Sequence, residues 1–418
     1  MDNNERSAIA FGSCNKQTKP QDFWREIENL QPSHFLWTGD AVYTKDRAVE
    51  KLSLAFQNLT SNEFYANFAK GVQIDGVWDD HDYGVNDAGR FIDNYEERAK
   101  EYTQFLTGSS DTKLRTDDNS GIYHTRDITV GGVTAKIIFL DTRTFRDNHY
   151  IKSVGEYPIK GSAVLGSLIR GVYSTLGLGR FYAGEMLGEA QWDWLRRTLV
   201  QSAEQKVDLT IIVSSVQVLT TNPFFECWAH FPVEKARLFN LLSEVNLNNL
   251  LFLSGDVHLG EVSETSYTRE DGSTGKWTEV TSSGLTHSCS EGLMGYLCPA
   301  VTALFSQHRR DQKSIYLKRN FGLIEARPSQ DSNNWEVEVS VRALPGAQPM
   351  LSHSIMVDKS TGNARSPIAS VQNLDFPQVP LAVIVVALFV FACIARVMLY
   401  ERRRKATLLK RQYKPKQK

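Results

Sequence analysis

Between Gly76 and Gly89 the chain reads G-V-W-D-D-H-D-Y-G-V-N-D-A-G, placing four aspartates, one histidine and one asparagine in a glycine-bounded loop. The loop follows a short, mostly apolar stretch, Ile74 to Trp78. Carboxylates this close repel one another unless a positive charge lies between them, and a metal ion is the simplest such charge. Oxygen donors suit hard cations. The competing explanation is a solvated acidic turn whose side chains bond their own backbone. What favours the metal is that other short apolar runs also end in residues able to do chemistry: Cys14, Asp40, Asp141, and Asp256 with His258.

If Cys14, Asp40, Tyr43, Asp80, Asp256 and His258 converge, the donor set holds one thiolate, three carboxylates, one phenolate and one imidazole. Two zinc ions would draw more His or Cys. The mixture instead suits a high-valent ion such as ferric iron beside a hard divalent ion such as calcium or magnesium. A pair of cations of this kind activates water and holds the oxygens of a transferring phosphoryl group. Arg143 or Arg146 would hold phosphate oxygens by bidentate bonds, and His81 would donate a proton to the leaving group. Asn86, Asp87, Asp141 and Arg146 are candidates for supporting contacts to metal or phosphate. Each residue also has an ordinary use: Cys14 as a small hydrophobe, Tyr43 in packing, Asp40 as a helix cap. Their repeated position after apolar runs is what the ordinary uses leave unexplained.

The elements that must position these residues follow from the pattern of the chain. Short apolar runs at Ile9–Ser13, His34–Thr38, Lys136–Leu140, Thr210–Val213 and Leu250–Leu253 alternate with amphipathic segments at Asp22–Leu30, Asn94–Leu106, Gly188–Ser202 and Pro232–Val245. Such alternation predicts an α/β core with buried strands, and in α/β sheets ligands bind outside the carboxyl ends of the strands. From Trp277 onward strand-like runs dominate, at Trp277–Thr281, Phe321–Arg327, Trp335–Ala343 and His353–Val357. Asn148 to Tyr182 is glycine-rich and aperiodic, and reads as a long loop or insertion beside the site.

A chain of 418 residues with 41% hydrophobic and 11% aromatic content can bury a large core. A net charge of −1, with no basic patch interleaved with aromatics in the body of the chain, argues against a nucleic-acid scaffold role. Five cysteines are too few for a disulfide framework, and none forms a C-x-x-C pair. Cys289 and Cys298 could bridge in an oxidising compartment, which their spacing alone does not show.

The ordered series F-G-S-C-N around Cys14, G-D-A-V-Y ending at Tyr43, W-D-D-H-D-Y-G-V-N-D-A-G from Trp78, L-D-T-R ending at Arg143, S-S-V-Q ending at Gln217, S-G-D-V-H ending at His258 and T-S-S-G-L-T-H ending at His287 resembles the PhoD-like alkaline phosphatases, a branch of the calcineurin-like metallophosphoesterases. The resemblance implies a four-layer α/β/β/α sandwich over residues 7–360, hydrolysis of phosphate monoesters or diesters, and a site using Fe3+ with Ca2+. Against the wider superfamily the chain departs repeatedly. Cys14 stands in the first motif, Tyr43 replaces the second Asp of the next, Asp80 stands where Asn would precede His81, and Asp256 replaces the first His of the last. These departures match the narrower branch, as do Asn86 and Asp87 in the extended loop. Two competing functions stand beside this one: a catalytically silent phosphatase-like binding module at a membrane, and a lipid-directed phosphodiesterase.

The C-terminal part differs sharply. Residues 361–378 read as a polar linker, and 379–400 hold the apolar run V-P-L-A-V-I-V-V-A-L-F-V-F-A-C-I-A, extended past Arg396 by V-M-L-Y. That is close to the ~20 residues needed to cross a bilayer, and Arg396 can reach the headgroups. The basic tail 401–418 predicts a cytosolic end and an extracytosolic catalytic domain. Lys414 and Lys416 resemble a dilysine retrieval signal of endoplasmic-reticulum membrane proteins, and the sequon Asn58-Leu59-Thr60 suits a lumenal face. The first residues carry no apolar signal segment. The expectation is therefore a truncated start and a lumenal domain, with a tail-anchored protein facing the cytosol as the alternative.

Overall fold

The computed structural model describes residues 8–44, 47–109, 114, 121–157, 159, 161–291, 294–329, 334–358, 366–372 and 375–376. Two sheets form the centre. The first contains β1 (Ala8–Gly12), β2 (His34–Thr38), β3 (Gln73–Val77), β11 (Asn320–Pro328), β12 (Asn334–Ala343) and β13 (Pro349–Asp358), in the order β13-β12-β11-β1-β2-β3. The second contains β4 (His124–Val130), β5 (Val133–Phe139), β6 (Leu209–Val213), β7 (Leu250–Ser254), β8 (Gly260–Arg269), β9 (Thr274–Ser282) and β10 (Ile315–Tyr316), in the order β10-β8-β9-β7-β6-β5-β4, with β14 (Ile368–Val371) paired to β8. Strands β1, β2 and β3 run parallel, as do β5, β6, β7 and β9.

Strand periodicity builds the layers. In β5, Ile137 and Phe139 join the core shared by the two sheets, whereas Ile138 joins a separate core. In β7 the split falls between Leu251 and Leu253 on one side and Leu250 and Phe252 on the other. That outer core is completed by Trp192, Leu195 and Leu199 of helix α7 (Glu189–Glu204) and Leu238, Leu241 and Leu242 of helix α8 (Pro232–Val245). On the far side, Phe35 and Trp37 of β2 meet Trp24 of α1 (Trp24–Glu28) and Phe68 of α3 (Glu63–Gly71) in edge-on and stacked ring contacts. Helices α2 (Val49–Thr60) and α5 (Tyr95–Thr107) complete this layer, with Phe56 stacked on Phe105. The order helices, sheet, sheet, helices is the expected four-layer arrangement. Two further helices are α4 (Asp80–Tyr83), a single turn in the acidic loop, and α9 (Met294–Leu304).

Three expectations are corrected. Asn148–Tyr182 is not merely a loop: residues Ser162–Thr175 form a 14-residue helix, α6. Its glycines obscure the pattern, yet they are needed for close packing. A Cβ on Gly171 would lie 2.3 Å from the Phe224 ring, and one on Gly166 would lie 2.7 Å from the Ser153 hydroxyl. Second, the supposed linker contains β14, because Ile368 and Val371 pack on the outer core beside α8 while pairing with β8. Third, the amphipathic segment Asp22–Leu30 yields only the short helix α1, which begins after Phe23 without a side-chain cap. Among the described residues no helix is long and apolar enough to cross a membrane. The apolar run 379–400 and the tail 401–418 lie outside the described residues.

Candidate active site and metal centre

The parallel strands of both sheets deliver their carboxyl ends to one place. β1 ends at Gly12 just before Cys14, β2 at Thr38 before Asp40, β3 at Val77 before Asp79 and Asp80, and β7 at Ser254 before Asp256 and His258. The sheets touch there: a Cβ on Gly255 would lie 2.4 Å from the Thr38 carbonyl oxygen. The turns are strained. Cys14, Asp40, Asp256 and His258 all take positive φ, at 63°, 54°, 68° and 59°. Left-handed backbone at a residue with a side chain costs roughly 1–3 kcal/mol and persists only where the surroundings impose it. Gly39 precedes Asp40 with φ +99°, and a Cβ there would lie 2.5 Å from the Asp79 Cβ, so only glycine fits between the two acids.

Asp40 is the hub. Its Oδ2 accepts a 2.7 Å hydrogen bond from the Tyr43 hydroxyl and a 3.6 Å bond from the Cys14 thiol, while its Oδ1 accepts the His81 backbone N–H at 3.3 Å. The Tyr43 hydroxyl lies 3.4 Å from His258 Nε2. Donor atoms of Cys14, Asp40 and His258 lie within 4.8 Å of one another, and the same holds for Asp40, Asp80 and His81, for Asp40, Asp79 and Asp256, and for Asp80, Asp87 and Glu226. The structure therefore brings together Cys14, Asp40, Tyr43, Asp80, Asp256, His258 and His81, all drawn from the sequence.

The electrostatics test whether cations fit. Burial, then the neighbouring Asp80 and Asp79, raises the Asp40 carboxyl well above its ordinary range. Burial, then Asp79, does the same to Asp256. Burial pushes Asp79 up to about 7 despite Arg143, and Asp87 up to about 6. Burial, then Asp40, also raises the Cys14 thiol and the Tyr43 hydroxyl, while burial and His81 push His258 down to about 4. Asp79 Oδ2 and Asp80 Oδ1 are buried without a hydrogen-bond partner. Such orphaned oxygens carry a cost that a cation removes. Carboxylate, thiol, phenol and imidazole donors gathered around the Asp40 carboxylate fit metal ions.

Other expected residues have different places. Arg143 is fully buried, with Nε donating to Asp79 Oδ1 at 2.7 Å and Nη1 to Glu226 Oε1 at 2.9 Å. It holds Asp79 in position and offers no open fork to a phosphate. Arg146 is likewise buried, pairing with Glu226 at 2.8 Å and donating to the carbonyls of Asp87 and Ala88. Asp141 is removed from the candidate metal or phosphate contacts. Its carboxylate is consumed by Trp78 Nε1, the backbone N–H groups of Ile122, Arg143 and Thr144, and the Thr144 hydroxyl. Asp82 is structural too, accepting from the Val42 and Asp79 backbone. Asp87 pairs with Arg170 at 2.9 Å and accepts from Ser153, and Asn86 lies beside it against Gly155.

The sequence reading did not single out Asp79, Ser215, Glu226, His287 or the two lysines at the mouth. Ser215 donates to Asp79 at 2.6 Å. His287 lies edge-on to Tyr43 and His258, with ring centroids 5.2 and 4.4 Å away. The charge of Lys16 disfavours protonation of His81, as Arg143 does, and of His287, and Lys19 does the same to His258 and His287. Glu226 had a detectable signal: it is a lone acid in the aromatic stretch P-F-F-E-C-W-A, and a buried acid needs buried cations.

A family model of PhoD-like phosphatases matches residues 55–337, more than half of the chain. The chain belongs to the PhoD-like phosphatase family. Asp79 to Asp87, Arg143, Glu226, Asp256, His258 and His287 lie inside the matched segment, whereas Cys14, Asp40 and Tyr43 precede it. Among solved structures, one described as "Structure of PhoD" superposes with a TM-score of 0.50 at 15% identity, covering 84% of this chain and 68% of that one. At that identity the likeness shows the fold alone. The Vps29 protein of Chaetomium thermophilum covers 85% of this chain and 97% of its own at 9% identity, but its TM-score of 0.25 carries no argument. No curated protein matches the chain. As a PhoD-like phosphatase the chain is a metal-dependent phosphoesterase, a hydrolase with a phosphoester substrate.

Proposed function

We propose that the chain is a membrane-anchored phosphomonoesterase or phosphodiesterase whose donors around Asp40 would hold two metal ions. The observation that carries this is the position of the Asp40 carboxylate, with Oδ2 against Tyr43 and Cys14, Oδ1 accepting the His81 N–H, and donor atoms of Asp80 and His81 within 4.8 Å. Cys14, Tyr43, Asp40 and His258 would hold Fe3+, the ion that thiolate and phenolate favour. Asp40, Asp79, Asp80 and Asp256 would hold Ca2+. Bound there, the two ions supply an activated water and a clamp for phosphoryl oxygens.

The rest of the chemistry belongs to the side chains. His81, partly open to solvent and lying against Tyr43 with ring centroids 4.0 Å apart, donates a proton to the departing oxygen. Arg143 keeps Asp79 aimed inward. Lys19, whose Nζ bonds the Thr286 carbonyl at 3.1 Å and pairs loosely with Glu291 at 3.5 Å, would turn to the phosphate as it arrives. Lys19→Ala is expected to raise KM about tenfold with kcat changed less than about twofold, because a charge-assisted bond to the ground-state phosphate is lost. Equal loss of kcat and kcat/KM in steady-state assays would remove Lys19 from substrate binding.

The apolar run 379–400 supports anchoring, and the basic tail supports a cytosolic end. The Cys289–Cys298 disulfide supports an oxidising compartment such as the endoplasmic-reticulum lumen for the catalytic domain. It closes the loop whose Cys289 N–H donates to the His258 carbonyl at 2.8 Å.

Metal analysis and the visible spectrum of the detergent-purified chain test the metal assignment. Tyr43 and Cys14 on ferric iron give a charge-transfer colour that disappears in the Tyr43→Phe, Cys14→Ser double variant. A colourless protein with no iron, yet active with calcium or magnesium, would reject the iron assignment.

A further inference from the structure

We propose that the insertion carrying α6 is a second membrane contact, laying its exposed apolar side chains on the bilayer entered by the 379–400 run. The proposal rests on the anchor reading above. Its independent observations are where the described chain ends and what surrounds that point. After β14, Gln372 still pairs with β8. Phe376, the last described residue, then packs its ring on His230 with centroids 5.0 Å apart. Asp375 and Phe376 share a cleft with Leu178, Arg180, Phe181 and Lys235, between the end of α6 and the start of α8. Only two residues separate Phe376 from Val379, so at most about 10 Å of chain lies between this cleft and the first residue of the run. Whatever surface adjoins the cleft must then face the bilayer closely.

The segment that leads into the cleft, through Leu178 and Phe181, is unusually apolar. About half of the large apolar side chains exposed among the described residues fall between Tyr150 and Phe181. Phe181 is 77% exposed and Ile159 65%, with Tyr157, Leu165, Leu176 and Leu178 beside them in sequence. Monomeric soluble domains rarely gather so many in one segment without a partner. Phe, Tyr and Leu accompanied by a basic residue is the composition of an interfacial membrane contact. Arg180, exposed, lies over the Phe181 ring at 4.5 Å and can reach lipid phosphates while the ring sinks. The inner side of α6 faces the other way, with Arg170 on Asp87 at 2.9 Å. Helix α6 thus lies between this exposed apolar segment and Asp87, which shares a donor cluster with Asp80 and Glu226.

The test uses the full chain in vesicles of phosphatidylcholine with a fifth of phosphatidylserine, with Cys393→Ser so that an introduced cysteine is the accessible thiol. Cys14 and Cys227 are buried and Cys289 and Cys298 are bonded to each other. An environment-sensitive fluorophore is attached at Phe181→Cys, or at Leu178→Cys as a second probe. The control is Leu54→Cys, exposed on α2 in the opposite outer layer. Nitroxide lipids are expected to quench the labels at 181 and 178 about twofold or more and to leave the label at 54 nearly unchanged, as shallow insertion requires. A chain that resists carbonate extraction but shows equal quenching at 181 and 54 overturns the proposal and leaves the anchor standing. A label at 181 shielded from aqueous quenchers yet untouched by nitroxide lipids points to a protein partner and overturns it as well. Release by carbonate overturns both readings together.

Discussion

Asp40→Asn is expected to lower phosphoester hydrolysis by about 10³-fold or more, because the ligand proposed for both ions would support several kcal/mol of transition-state stabilisation. The amide keeps the shape of the carboxylate and can still accept from Tyr43, so the loss reads charge rather than packing. The same substitution is expected to raise the stability of the metal-free protein. Burial, then Asp80 and Asp79, disfavours the ionised Asp40, and that penalty is absent from the amide. The sign of the pH dependence follows. Folded Asp79 titrates at about 7 and Asp82 at about 8, both above the ordinary value of 3.8. Between roughly pH 4 and those values the folded chain holds protons that the unfolded chain has lost, so stability falls as pH rises, by about 1.4 kcal/mol per unit for each full proton. Buried histidines such as His258, held at about 4, oppose this below their ordinary value of 6.5, so thermal melts of chelator-treated protein should shift downward from pH 7 to 8.5. Asp40→Asn should flatten that shift, and added metal should oppose it by binding only the folded site. Wild-type activity in the variant, or an apo protein that gains stability across that interval, would refute the central place given to Asp40. Activity and stability here pull in opposite directions, as expected where a fold holds charges apart from their counter-ions.

How far the sequence carried this picture depended on what each signal measured. Short, uninterrupted apolar runs marked β1, β2, β5, β6 and β7 because strands buried on both faces have no polar side to show. The residues just past those runs could then be assembled by topology alone, and Cys14, Asp40, Asp80, Asp256 and His258 do meet. The failures share a cause as well. Edge and outer strands such as β4 and β8 mix exposed and buried positions, so their runs are broken: β4 alternates from buried His124 through exposed Arg126 and Asp127 to buried Val130. α6 was missed because Gly166 and Gly171 serve close packing there, while glycine ordinarily signals a break. Arg143 was given a phosphate to hold because its motif lies beside the site. Whether a guanidinium faces substrate or another carboxylate depends on Glu226, a residue 83 positions away that no local pattern connects to it. Asp141 shows the same limit: an acid at a strand end can be a ligand or, as here, the acceptor that closes the turn.

Glu226→Gln is expected to destabilise the protein by about 3–5 kcal/mol, the usual cost of stripping one partner from a buried ion pair. Burial alone would raise the Glu226 carboxyl, but Arg143, Arg146 and His149 outweigh it and hold the group well below its ordinary range. Its Oε1 lies 2.9 Å from Arg143 Nη1 and 2.8 Å from Arg146 Nη1. Without that charge two buried guanidinium groups face one another, and Arg143 is left to Asp79 alone. A carboxylate with a depressed folded pKa gives stability that is present above its unfolded value and lost only as pH falls below it. The deficit of the variant should therefore be full at neutral pH and shrink in acid. Catalysis should suffer as well, since Arg143 no longer stands braced between Glu226 and Asp79. The loss should appear in kcat with little change in KM, because neither residue meets the substrate. Removing the stranded cation is the decisive comparison. The Glu226→Gln, Arg146→Met double variant restores local neutrality and should recover more than half of the lost stability. Double-mutant melts in which the two losses simply add would mean that Glu226 and Arg146 do not depend on one another, and the buried network would not be what fixes Asp79 in the site.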